Sequence, residues 1–216
     1  VTEGSDGSIW CGTRAGVIQW GTHGARIFEF GRAAAHEGVN SVWRVPSGMV
    51  WAAFGEDGMV QMASGFGMVL MENQTKHYSP GERTALGSGA ARALYSTRNR
   101  LFWLGTKQGF IRGHERFTTR HGLPHPDVRA FFEDSSGQLW IGTYGGGICR
   151  MRDQLAAPDT PDLFEVFDQC HGLMEGRVWG FHEHPDGVLW LATDGGLIRF
   201  KKSQFFACAS KHGLFE

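Results

Sequence analysis

Two histidines, His182 and His184, flank Glu183 in a segment that reads as a β-strand, Val178-Trp179-Gly180-Phe181-His182-Glu183-His184. Residues i and i+2 of a strand face one side, so both imidazoles could hold the same divalent metal. His184, however, runs straight into Pro185-Asp186-Gly187, a tight turn. Three more histidines recur as His121-Gly122-Leu123, His171-Gly172-Leu173 and His212-Gly213-Leu214. Each adjoins a glycine in a turn, and capping that turn explains them better than a metal does. Asp6, Asp57, Asp134, Asp186 and Asp194 stand beside turn glycines, where bonding to the local backbone is role enough. No carboxylate pair, nucleophile elbow, H-E-x-x-H, P-loop or dinucleotide fingerprint is present. The expectation is therefore no catalytic residue, no metal site and no cofactor.

The elements that carry these residues repeat. Five segments align on a tryptophan: Gly7 to Thr13, Gly48 to Phe54, Arg100 to Thr106, Gly137 to Thr143 and Gly187 to Thr193. The tryptophans, Trp10, Trp51, Trp103, Trp140 and Trp190, are separated by 41, 52, 37 and 50 residues. Six or seven residues after each comes a glycine that opens another apolar run: Gly16, Gly58, Gly109, Gly147 and Gly196. Asp6-Gly7, Ser47-Gly48, Ser136-Gly137 and Asp186-Gly187 supply the positive φ of a tight hairpin. The runs are short, β-branched or aromatic, and bounded by glycine, which excludes helices. Four antiparallel strands in about 45 residues make a propeller blade. The fold class is all-β, a β-propeller of about five four-stranded blades. Residues 1–30 read as a partial blade, followed by blades over about 36–80, 88–118, 121–168 and 171–210, with 211–216 opening another.

Composition agrees. The 216 residues include 32 glycines, and the formal net charge is −1, so no basic field exists to hold a nucleic-acid backbone. No apolar run approaches the ~20 residues of a membrane span. Any membrane link would pass through parts of a longer parent protein. Cys11, Cys149, Cys170 and Cys208 show no metal-ligand spacing; Cys11 and Cys149 take apolar strand positions and read as buried free thiols.

A second signature joins the blades. His-Gly-Leu is followed five residues later by valine (Val128, Val178), then by a turn, L-W-I-G-T and G-G-L-x-R, best seen from His121 to Met151 and from His171 to Phe200. This pattern resembles the two-component regulator propeller repeat. The resemblance implies seven-bladed propellers serving as periplasmic or extracellular sensors of hybrid histidine kinases, with the kinase in another part of the parent protein and a homodimer of that parent as the expected assembly. Five tryptophan strands fall short of seven, so the chain reads as part of a propeller rather than a five-bladed ring.

On such a scaffold a ligand would meet the loops at one rim. These present Arg14, Lys107, Tyr144 and Asp194, with His125, Asp127, Glu175 and Arg177, while Trp43, Arg129 and Trp179 are expected at matched places opening the inner strands. Aromatic faces beside bidentate donors suit a small molecule or an oligosaccharide, although Trp43 and Trp179 could equally pack between blades. The function expected is a non-catalytic ligand-binding sensor. Two alternatives stand beside it: a propeller enzyme of the streptogramin-lyase type with His182 or His184 at its metal, and a protein–protein scaffold.

Overall fold

The computed structural model describes residues 1–3, 7–14, 16–22, 24–29, 38–44, 50–54, 58–62, 76–78, 91–113, 115–173, 176–201 and 204–208. Asp6, Ser47-Gly48, Asp57, Glu175 and the His212 repeat lie outside them. Among the described residues, twenty strands form five four-stranded antiparallel sheets, each an up-and-down meander in chain order. The first holds β1 (Thr2–Glu3), β2 (Ile9–Gly12), β3 (Gly16–Gly21) and β4 (Gly24–Glu29). The second holds β5 (Val39–Arg44), β6 (Val50–Phe54), β7 (Gly58–Met62) and β8 (Lys76–Tyr78). The third runs through β9 (Ala91–Ser96), β10 (Phe102–Thr106), β11 (Gly109–Arg112) and β12 (Glu115–Phe117). The fourth comprises β13 (Val128–Glu133), β14 (Leu139–Thr143), β15 (Ile148–Met151) and β16 (Phe164–Phe167). The fifth comprises β17 (Val178–Glu183), β18 (Leu189–Thr193), β19 (Gly196–Lys201) and β20 (Gln204–Cys208). Among the described residues no helix is long and apolar enough to cross a membrane.

The chain divides into two compact units, Val1–Ser96 and Thr97–Glu216. In the first, Trp10, Val17 and Phe28 of the first blade are buried against Val42, Val50 and Ala52 of the second. In the other unit, Trp140, Ile148 and Phe167 of the fourth blade pack on Val178, Leu189, Leu191 and Ile198 of the fifth, with Phe181, Phe200 and Phe205 alongside. A blade thus buries a sheet face by stacking on its neighbour, which is why its strands are apolar on both sides.

The signature tryptophan also fixes its own hairpin. Trp140 Nε1 donates to Asp134 Oδ2 at 2.8 Å, and the same carboxylate accepts the N–H groups of Ser136 and Gln138. Burial acts to raise the Asp134 pKa, but the bonds from Ser136, Trp140 and Gln138 prevail and hold it below the ordinary value. In the third blade Trp103 Nε1 reaches Thr97 Oγ1 at 3.3 Å instead. There Arg100 takes the place of the turn glycine, at φ 64°.

The His-Gly-Leu unit is a single 3-10 turn between blades. Thr118 caps Thr119–His121, and the ring Nδ1 of His121 accepts the Thr118 N–H at 2.9 Å. Asp168 and His171 repeat the arrangement over Gln169–His171. Gly122 and Gly172 end the turns at φ 93° and 86°, and Leu123 and Leu173 are buried. These two histidines are turn caps. Of the two cysteines expected inside, Cys149 is fully buried, which raises its thiol pKa. Cys11 is only half-buried, on the face of the first sheet that also leaves Ile9, Trp20 and Ile27 exposed.

Glycine in L-W-I-G-T has a packing reason. A Cβ on Gly142 would stand 2.8 Å from Cγ1 of Val178, and one on Gly12 would stand 2.6 Å from Cγ1 of Val39. Since neither glycine has a positive φ, the effect of adding a methyl is steric. Gly142→Ala should destabilise the chain by about 1–3 kcal/mol, the usual range for overpacking, read as a lower urea midpoint with an unchanged slope.

Candidate rim site

At the start of β13 and of β17 the register slips by one residue. Val128 pairs with Thr143 but Ala130 with Gly142, and Val178 pairs with Thr193 but Gly180 with Ala192. The extra residues are Arg129 and Trp179, and a bulge of this kind re-aims the side chain it carries. In the second blade the slip falls between Val39 and Ser41, so the bulge residue there is Asn40. This corrects the expected match of Trp43 with Arg129 and Trp179. Trp43 pairs with Trp51, as His182 pairs with Trp190, three places further along the strand than the bulge. It packs on Tyr95 with ring centroids 4.6 Å apart and the rings tilted by 42°. Its Nε1 is buried without a hydrogen-bond partner among the described residues. The missed signal was the three-residue step from Val128 to Phe131, where plain alternation would place partners two or four apart.

Seven of the expected rim residues meet in the second unit. Tyr144 and Arg177 form an isolated antiparallel bridge, and Arg177 Nη2 donates to the Tyr144 hydroxyl at 2.7 Å. The Arg177 guanidinium lies over the Tyr144 ring at 4.4 Å and over Trp179 at 5.5 Å. Arg129 covers the same two rings at 5.1 and 6.0 Å. Trp179 Nε1 donates to Asp194 Oδ1 at 2.7 Å, while Asp194 Oδ2 accepts the Arg177 N–H and lies 3.6 Å from its Nε. Arg129 Nη2 donates to Asp127 Oδ2 at 2.8 Å. His125 stacks on Tyr144 with centroids 6.0 Å apart and accepts the Asp127 N–H. Arg14 is exposed beside Gly38 in the first unit, and Lys107 is exposed in the β10–β11 turn.

Three properties make the cluster a binding site in form. Trp179 keeps half of its surface exposed although its Nε1 is held by Asp194. Two guanidinium groups are matched by two carboxylates, so the site is polar without a net charge. Asp127 Oδ1 and Arg129 Nε, an acceptor and a donor of one ion pair, are buried with no partner among the described residues, a state that calls for an explanation. Behind the Gly145–Gly147 loop lies a cleft of about 420 Å³ lined by Pro124, Asp168, Gln169, Cys170 and Leu173.

His182 and His184 are elsewhere. They sit at the far end of β17 from the bulge, where His184 Nδ1 lies 2.6 Å from Asp186 Oδ1. Glu183 between them is committed to Ser135, accepting its N–H at 2.6 Å and its hydroxyl at 2.7 Å. Among the described residues no group of three or more His, Cys, Asp or Glu could hold a metal ion.

The His-Gly-Leu turn and the L-W-I-G-T strand that frame Tyr144 have a family. Residues 122–145 match the two component regulator propeller. No curated protein sequence matches the chain. Among solved structures, the extracellular domain of a hybrid two component system from B. thetaiotaomicron aligns over 96% of this chain and 28% of its own, with TM-score 0.69 and 21% identity. The extracellular domain of a one component system from the same organism aligns over 97% of this chain and 30% of its own, with TM-score 0.62 and 16% identity. Virginiamycin B lyase from Staphylococcus aureus aligns over 95% of this chain and 67% of its own, with TM-score 0.66 and 13% identity. At these identities the likeness is one of fold, the β-propeller. The chain spans under a third of the two component-type domains it resembles. The matched residues 122–145 carry the strand and turn that place Tyr144, and the bulge and loop residues supply the chemistry of the site.

The Trp179 indole, first among the causes, and the Arg177 charge hold the Asp194 carboxyl below its ordinary pKa. A lowered carboxyl stabilises its contacts above the unfolded value of about 4 and loses them as pH falls through the folded one. The Trp179 environment should therefore be constant at neutral pH and change below about pH 4. Tryptophan fluorescence of the chain compared with Asp194→Asn, which should lack that transition, checks this.

Proposed function

We propose that this chain is a non-catalytic ligand-binding part of the sensor propeller of a two-component-type receptor, acting outside the cytoplasm and recognising a carbohydrate at the Tyr144–Arg177–Trp179–Asp194 cluster. The observation that carries the reading is the half-exposed Trp179 ring, fixed through Nε1 by Asp194 and flanked by the Arg129 and Arg177 guanidinium groups. A flat aromatic surface accepts the apolar face of a sugar ring, and oriented donors and acceptors at its edge read hydroxyl groups. Charge balance favours a neutral, hydroxyl-rich ligand over a polyanion. The unpartnered Asp127 Oδ1 and Arg129 Nε suit vicinal hydroxyls, which offer one donor and one acceptor side by side, reached through a small shift of the pair. Support for a sensor also comes from the regulator-propeller repeat and from the extracellular domains that share the fold. The output domain belongs to the rest of the receptor.

The test is a thermal-shift screen of a neutral and acidic glycan panel on the propeller. A ligand at a hundred times its Kd stabilises the native state by about 2.7 kcal/mol, a shift of several degrees. Trp179→Ala should abolish the shift while leaving the unliganded Tm within about 2 °C, as expected for an exposed side chain. A panel in which no glycan raises the Tm, or in which Trp179→Ala binds as well as the parent, overturns the reading.

A further inference from the structure

Among the described residues of the first unit, one face of the first sheet is unpartnered. Register places Ile9, Trp20 and Ala25 in one row across β2, β3 and β4, and Cys11, Ile18 and Ile27 in the next row on the same face. Ile9 is 46% exposed, Trp20 65% and Ile27 61%, so this is a contiguous apolar surface of the kind that marks an interaction site. The opposite face, through Trp10, Val17 and Phe28, is the one buried on the second blade.

The repeat shows what belongs there. The matching rows of the fourth blade are Leu139 with Met151, and Ile141 with Cys149. In the fifth they are Leu189 with Phe200, and Leu191 with Ile198. Leu139, Ile141, Cys149, Met151, Leu191 and Ile198 are all exposed by 1% or less. What covers them is the preceding blade: Phe110 and Phe117 of the third lie against Phe164 of the fourth, and Trp140 of the fourth lies against Phe200 of the fifth.

A polar latch accompanies each of these junctions. Glu133, seven residues before Trp140, accepts the Arg98 N–H from the third blade's hairpin turn at 2.6 Å. Glu183, seven residues before Trp190, accepts the Ser135 N–H from the fourth blade's turn at 2.6 Å. Both donors stand five residues before their own blade's tryptophan. Glu3 stands seven residues before Trp10, pairs with Ile9 as Glu133 pairs with Leu139, and is exposed. The donor position also varies informatively. It is Pro46 in the second blade, which has no N–H, and the carboxylate position that follows is Ser96.

We propose that the Ile9–Trp20–Ile27 face is the docking surface for a further blade of this same repeat, latched by Glu3 to the backbone N–H of that blade's hairpin turn. The blade that fits has a residue other than proline five places before its tryptophan. Pro185 occupies that position in the fifth blade, which has no N–H there to donate.

A copy of residues 121–180 joined directly to Val1 provides the test. It places a complete fourth-type blade, with its Ser135 donor, ahead of the sheet, and Val178-Trp179-Gly180 extends the short β1 in the repeat's own register. Cys11 is the reporter, since its counterparts Ile141 and Leu191 are fully covered. Maleimide labelling of Cys11, read by peptide mass spectrometry, should slow at least about tenfold in the fusion, as burial denies access. Glu3→Gln in the fusion, or Ser135→Pro in the added copy, should restore much of that rate and lower the Tm, whereas Glu3→Gln in the parent chain should change neither. Labelling unchanged by a folded fusion, or Glu3→Gln acting equally in both proteins, overturns the proposal. Should the fusion not fold, Trp20→Ser and Ile27→Ser in the parent chain still decide. An unchanged Tm with rapid Cys11 labelling supports a vacant face. A Tm loss with Cys11 already protected shows it occupied, by a second copy where light scattering gives a dimer and by the chain itself where it gives a monomer, and either result overturns the proposal.

Discussion

Much of this structure depends on a close approach between the backbone of one blade and a valine of the next. With no side chain on Gly142, Val178 lies where a Cβ would be 2.8 Å from its methyl, and Gly12 and Val39 repeat the contact in the first unit. The contact sets how near two blades come at the rim. Tyr144 follows Gly142 by two residues and Arg177 precedes Val178 by one. The same approach therefore brings these two backbones into a bridge, with the Gly145 N–H bonded to the Gly176 carbonyl. The rim cluster is thus a consequence of blade spacing before it is a matter of which side chains occupy it.

That dependence explains what could be read in the sequence. The tryptophan period, the turn glycines and the His-Gly-Leu step are local devices, and each does locally what its residue types imply. Trp140 pins Asp134, and Gly122 takes the left-handed turn that ends the 3-10 segment. Arg129, Tyr144, Arg177, Trp179 and Asp194 were all legible as rim residues because they flank those devices. Trp43 was misplaced for a reason of the opposite kind. Its position relative to Trp179 depends on a one-residue slip in pairing with β6, and register is a property of two strands together. The orphaned Asp127 and Arg129 atoms were likewise invisible, since burial and partnership are tertiary facts.

The balance of charge within the cluster bears on what it can recognise. Two arginines beside aromatic rings suggest an anion site, yet Arg177 is engaged by Asp194 and Tyr144, and Arg129 by Asp127. The Arg129 and Asp127 side chains are less than a fifth exposed, so drawing Arg129 toward an anion would leave Asp127 unpaired in a largely desolvated place, which is costly. A hydroxyl-bearing ligand has no such conflict. It can add to the existing bonds, donating to a spare carboxylate lone pair and accepting from a spare guanidinium N–H.

The latch glutamates extend the same logic to the opposite end of the blades. Glu133 and Glu183 close β13 and β17 at the end away from the bulge, each reaching the turn of the blade before. The junction of the fourth and fifth blades is therefore held at both ends, by the Gly142–Val178 contact at the rim and by Glu183 on the Ser135 N–H at the base. The apolar rows between them supply most of the buried surface but little register, because one aliphatic row packs much like another. The two polar or steric end-points choose the neighbour's alignment. Rim residues can then vary from blade to blade, Asn40, Arg129 and Trp179 at the bulges being a case in point, without disturbing the stack that carries them.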